Sequence, residues 1–149
     1  MKQSCFERGY TVTFQATYYV FLLFMFVGFI YDLGGLGISV SVASKATRLA
    51  AQEAAKKIDY QTFIDTQQIR LNHADAVTAA NNTVAGLTAG KVQVTSVTFN
   101  GLATRDVVVV HSRATAKLPI LGSVFGIAPV TFDVEAYGEP AFGIASEGQ

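Results

Sequence analysis

Side chains able to do chemistry are few in this sequence, and they stand far apart. His73 and His111 could ligate a metal or move a proton, yet neither has a Cys, a Glu or a second His at ligand spacing. Cys5 is the only cysteine, so no intrachain disulfide can form, and without a neighbouring His it reads as an inert thiol. The glycines of Asp32-Leu33-Gly34-Gly35-Leu36-Gly37 follow an apolar run rather than a strand, which removes the context in which they would cradle phosphate. No G-x-S-x-G, P-loop or dinucleotide fingerprint is present. Asn81-Asn82-Thr83 matches an N-glycosylation sequon, a short pattern that arises often by chance. These residues predict no catalytic site, no metal and no cofactor.

The element that must position everything else is an apolar run. From Tyr10 to Tyr31 the chain has no Asp, Glu, Lys, Arg or His, and Asp32 closes the stretch. A hydrocarbon core of about 30 Å needs about 20 helical residues, so this run can span it. It is longer than the apolar region of a signal peptide and ends in bulky Phe29, Ile30 and Tyr31 rather than in a small-residue cleavage site. Lys2 and Arg8 precede it and the next basic residue is Lys45, which favours a cytoplasmic N-terminus and an exported remainder. Half of the 149 residues are hydrophobic and only 15% are charged, consistent with part of the chain facing lipid. The 11 basic and 11 acidic residues balance without any like-charged block, so nucleic acid is not an expected partner. Within the run, Phe14, Gln15, Tyr18 and Tyr19 are candidates for contacts with a neighbouring helix, because a deeply placed tyrosine hydroxyl wants a partner.

Past Asp32 the helix is expected to continue through a hinge. Gly34, Gly35 and Gly37 each weaken helix by about 1 kcal/mol relative to Ala, which predicts a kink or melted turn there. Beyond it, Ala43, Ala46, Ala50, Ala54 and Ile58 recur at steps of three and four, a narrow stripe of mostly small residues that lets another element approach closely. Asp32 and this stripe are candidate helix-packing or assembly positions. Part of the stripe must dock on the chain's own domain.

The remainder reads as a small α+β unit over 59–149. Asp59 to Leu87 suits one or two helices with any break near Asp65. After Ala89-Gly90 the period switches. Val92 and Val94 alternate with polar neighbours while Val97 and Phe99 resume out of step, which predicts a strand with a bulge and a turn at Asn100-Gly101. Val107 to Val110 and the alternation from Val130 to Ala136 give further strands of a three- or four-stranded antiparallel sheet. Leu118 to Gly126 is apolar yet broken by Pro and Gly, a loop that its own helix, a neighbouring subunit or the membrane surface must cover.

In order along the chain, Arg8-Gly9, a short polar gap, the apolar segment, Asp32-Leu33-Gly34 and ASKATRLAAQEAAKKID resemble the N-terminal half of the TadE/TadG family. These are pilin-like proteins of the tight-adherence (Flp) pilus system. The C-terminal half is similar too: a V-x-V strand, a turn, a valine strand, LPILGSVFG and VTFDVEAYGEP. The resemblance implies a leader over 1–9, cut on the cytoplasmic side after Gly9 so that Tyr10 becomes the new N-terminus. Family members usually carry a Glu-Phe pair just inside the apolar segment, where this chain has Thr13-Phe14-Gln15. Gln15 could offer a neutral hydrogen bond in place of a charge-assisted one.

The expected function is thus a non-enzymatic, pilin-like structural subunit, held as a single-pass protein in the inner membrane before entering a surface filament. Its implied partners are other copies of itself or other pilins, the pilus assembly machinery and the lipid bilayer. The alternative is a permanently anchored accessory or adhesin-like binding protein with an exported domain.

Overall fold

The computed structural model describes residues 4–101 and 106–140, with side chains from residue 12 onward. The fold is α+β: helix α1 (Ser4–Ala55), helix α2 (Tyr60–Thr66), helix α3 (His73–Thr88), strand β1 (Val92–Gly101), strand β2 (Asp106–Ala116), helix α4 (Pro119–Phe125) and strand β3 (Val130–Gly138). The chain divides into two compact units, one made of Met1–Gly37 with Lys117–Pro129 and the other of Ile38–Ala116 with Val130–Gln149. α1 contributes to both.

Three observations revise the sequence expectations. α1 is helical without interruption over its 52 residues, so no melted turn forms at Gly34, Gly35 or Gly37. The cost of an interior glycine is smaller than the cost of freeing a turn of backbone N–H and C=O groups in the middle of a long helix. The boundary between the units nevertheless falls just after Gly37. Next, Asn100 and Gly101 are not the turn but strand residues, paired with Val107 and Asp106, and the connection at 102–105 lies outside the described residues. Finally, the helical break foreseen near Asp65 occupies 67–72, and the unit that begins at Ile38 takes in the last third of α1 instead of starting at 59.

In the second unit the described strands form an antiparallel sheet of order β1-β2-β3, with the anticipated bulge between Val94 and Ser96. β2 is central, and its inward residues Val108, Val110, Ser112, Ala114 and Ala116 are all buried. Ala43, Ala50, Ala51, Ala54 and Ala55 of α1 and Ala76, Ala80 and Val84 of α3 complete one core with them. The alanine stripe is what permits this. Gly138 of β3 lies so close to α1 that a Cβ placed there would overlap the Ala51 carbonyl group. α2 and α3 begin at Asp59 and Asn72, whose side chains accept the free backbone N–H groups of the first turn. α3 ends on Ala89 and Gly90, both left-handed.

Candidate functional site

Two surfaces could carry function, the apolar portion of α1 with α4, and the outer face of the sheet. In the first unit the side chains of Phe14, Tyr18, Tyr19, Phe21, Leu23, Phe24, Phe26 and Phe29 are all exposed, with Phe24 at 73%. The most apolar 18-residue window of α1 has mean hydropathy 2.0 and is only 11% buried. A core helix of a water-soluble protein would hide such a window. This one is long and apolar enough to cross a membrane. Tyr18 and Tyr19 touch each other edge to face, with ring centroids 6.2 Å apart, and Gln15 is exposed. Gly9 and Tyr10, the bond at which the family resemblance implies cleavage, lie within α1, but their side chains and that of Cys5 are outside the described residues.

Asp32 is buried within this apolar stretch, at 1% exposure. Its carboxylate accepts the backbone N–H of Leu121 at 2.6 Å and that of Ile120 at 3.3 Å, the first-turn donors of α4. α4 has no side-chain cap of its own at Leu118, so an acid from elsewhere in the chain satisfies its first turn and faces the positive end of its dipole. One turn earlier on α1, Gly28 makes room for Ile120: a Cβ at Gly28 would stand 2.7 Å from the Ile120 Cγ2. The segment Leu118 to Gly126, expected to be a loop in need of cover, is thus a short helix seated on its own α1. Asp32 was a candidate for helix packing or assembly, and its carboxylate is engaged with the α4 helix of its own chain.

No protein-family model, curated protein or solved structure matches this chain.

The stripe of Ala43, Ala46, Ala50 and Ala54, also a candidate for helix packing or assembly, is buried inside the chain at 0–2% exposure. Lys45 and Arg48 of the same stretch are exposed, as are Ile38, Val40 and Val42.

On the sheet's outer face, register places Arg113 opposite Asp133 and His111 opposite Glu135. The Arg113 guanidinium donates to both Asp133 oxygens, at 2.8 and 3.2 Å. That hydrogen bond and the opposite charge hold the Asp133 carboxyl below its ordinary pKa and raise that of Arg113. His111 Nδ1 lies 3.8 Å from Glu135 Oε2, and the Tyr137 hydroxyl donates to the same carboxylate, which pushes the Tyr137 pKa up. His73 stacks on Phe99 with centroids 3.9 Å apart. The two histidines therefore have separate surroundings, and among the described residues no three His, Cys, Asp or Glu are grouped to hold a metal.

An interaction the sequence did not announce is the buried Asp106. It accepts from Arg70 at 2.7 Å and from the Leu71 backbone N–H at 3.1 Å, tying the segment after α2 to the start of β2. Its role is to order the domain. Lys56, Lys57, Asp59, Tyr60, Asn72 and Asp75 line a nearby open cleft of about 460 Å³, where Asp59 is already used by the Thr62 hydroxyl and the amides of Thr62 and Gln61.

Proposed function

We propose that the chain is a non-enzymatic, pilin-like structural subunit of the tight-adherence type, anchored in the inner membrane by α1 and assembling with other copies through the same helix. The observation that supports it is the extent of uncovered apolar surface on α1. Tyr10 to Tyr31 already supplies the roughly 20 residues that a bilayer needs. Leu33, Ile38, Val40 and Val42, further along the helix, are exposed as well. Lipid covers the first part, and helices of neighbouring subunits provide a similar apolar medium for both parts. A helix can then leave the bilayer for a filament with little change in burial. The polar sheet face, with its Arg113–Asp133 pair, suits the aqueous side.

The second reading is a permanently anchored accessory or adhesin-like protein. Thr13-Phe14-Gln15 favours it, since no acid is present there to pair with a neighbouring subunit's N-terminal amine.

Intact mass and N-terminal sequencing of the native protein, from membranes and separately from sheared surface material, decides between them. A chain beginning at Tyr10 in the sheared fraction is the expected result. A chain beginning at Met1 and confined to membranes would overturn the filament reading and leave the anchor.

A further inference from the structure

The segment that joins β2 to β3 carries a feature that anchoring by α1 does not require. From Leu118, through that segment and into the first residues of β3 as far as Phe132, the chain contains no charged residue or histidine, and Lys117 and Asp133 bracket the run. Within it Val124, Phe125 and Ile127 are exposed at 58%, 53% and 44%. Water is a poor neighbour for such a patch. Two contacts fix where the segment meets α1. Ile120 packs at Gly28 and the α4 amides bond Asp32, so the attachment straddles the end of the uncharged run at Tyr31. At 1.5 Å per residue, Gly28 lies about 4.5 Å inside that end.

Backbone groups of α4 also find partners within the chain. The N–H groups of Ile120 and Leu121 go to Asp32, that of Gly122 to the Leu118 carbonyl and that of Gly126 to the Gly122 carbonyl, while the Ser123 hydroxyl donates to the Ile120 carbonyl. Unpaired backbone groups are what exclude irregular segments from lipid. Here the turn most at risk is supplied with acceptors by an acid 88 residues away in sequence.

We propose that α4 and its flanks lie in the headgroup zone of the bilayer that α1 crosses, as a second, interfacial contact at the Asp32 end of the span. Val124, Phe125 and Ile127 enter the boundary between headgroups and acyl chains. Interfacial helices sit about 5–10 Å into that boundary, a depth compatible with attachment at Gly28. Asp32 then acts as the internal cap that lets the segment enter a poorly hydrated layer. This inference rests on α1 spanning the membrane.

The test uses the full chain with Cys5→Ser, reconstituted in phosphatidylcholine and phosphatidylglycerol vesicles. Single cysteines at Phe125→Cys, Val124→Cys, Phe24→Cys and Thr66→Cys carry an environment-sensitive fluorophore, read against lipids with nitroxides at shallow or deep positions. The expected result is that labels at 124 and 125 lose emission chiefly to the shallow nitroxide, the label at 24 chiefly to the deep one, and the label at 66 to neither. Labels at 124 and 125 that no nitroxide quenches, with the label at 24 still quenched, would overturn the interfacial contact and leave the span standing. A label at 24 that no nitroxide quenches would overturn the span and this inference with it. Shielding at 125 that disappears as protein is diluted in lipid would assign the patch to a second copy and overturn the lipid contact.

Discussion

The two stretches of α1 on either side of Gly37 meet opposite packing conditions. From Ala43 to Ala55 the inward face is alanine, and it is buried to a few per cent against β2, β3 and α3. From Phe14 to Tyr31 the same helix carries large aromatic and aliphatic side chains, most of them more than half exposed. Side-chain size decides the neighbour. Small residues let the chain's own backbone approach to contact distance, as Gly138 does at Ala51. Large ones keep partners at side-chain distance and present a broad apolar surface, which suits a fluid or interchangeable surrounding. A helix divided in this way packs into a folded domain along one stretch and presents uncovered apolar side chains along the other.

The sharpest way to break this contrast is at the tightest contact. Gly138→Val would drive a side chain into the Ala51 carbonyl, and neither the strand nor the helix can yield without moving backbone. We expect a loss of about 3 kcal/mol, the upper end for overpacking, read in denaturant unfolding of the domain. A loss below about 0.5 kcal/mol would mean that the helix and β3 are not in backbone contact. A matched pair measures the contrast itself. Ala50→Leu, at a site with 0% exposure, should cost about 2 kcal/mol, whereas Phe24→Ala, at 73% exposure, should leave domain unfolding within about 0.5 kcal/mol. Equal effects at the two sites would erase the distinction between the stretches.

Much of this arrangement was legible in the residues, because its signals are local. The alanine spacing, the switch of period after Gly90, the bulge between Val94 and Ser96 and the alternation in β3 are each written within a few residues. The errors arose where a local signal was outweighed by cooperativity or by a distant partner. Gly34, Gly35 and Gly37 predicted a kink or a melted turn, and of these the melted turn does not form, because helix on both sides carries the backbone through. Asn100-Gly101 looked like a turn, yet strand pairing extends to Gly101 opposite Asp106. The pairing of Asp32 with α4 had no local trace, although an unclosed apolar segment at 118–126 and a lone acid at the end of a span were both visible. What joins them is tertiary. Asp106 with Arg70 is a contact of the same kind.

Asp32 offers the next test, on the contact between the exposed stretch and α4. Asp32→Ala removes the carboxylate that accepts from the Ile120 and Leu121 amides, and loss of a cap costs about 1 kcal/mol. The effect should be local. Hydrogen exchange at those two amides should speed up by about fivefold for that 1 kcal/mol, while amides of the sheet keep their protection. Asp32→Asn retains an acceptor and should fall between the two. Uniform acceleration across the domain would show that α4 is part of the cooperative core and not an attachment to the apolar stretch.

The smallest effect belongs to the polar face of the second unit, and its pH dependence separates it from packing. The Asp133 carboxyl, held below its ordinary value near 3.8 by the Arg113 hydrogen bond and charge, stabilises the fold above that value. A depressed folded-state pKa means this contribution is lost as pH falls through the folded value, when the folded protein must take up the proton. Asp59 is lowered too, by the Thr62 hydroxyl first and then by the Thr62 and Gln61 amides, so total stability in acid reports both groups. The difference between wild type and Asp133→Asn isolates one of them. That difference in thermal midpoint should be small at about pH 7, shrink with added salt and decline in acid as the Asp133 carboxyl takes up its proton. The Ala50→Leu penalty, which arises from volume alone, should persist in acid. An Asp133→Asn difference that survives unchanged in acid would mean that the pair acts through shape rather than charge, and the polar face would then follow the same rule as the buried alanine stripe.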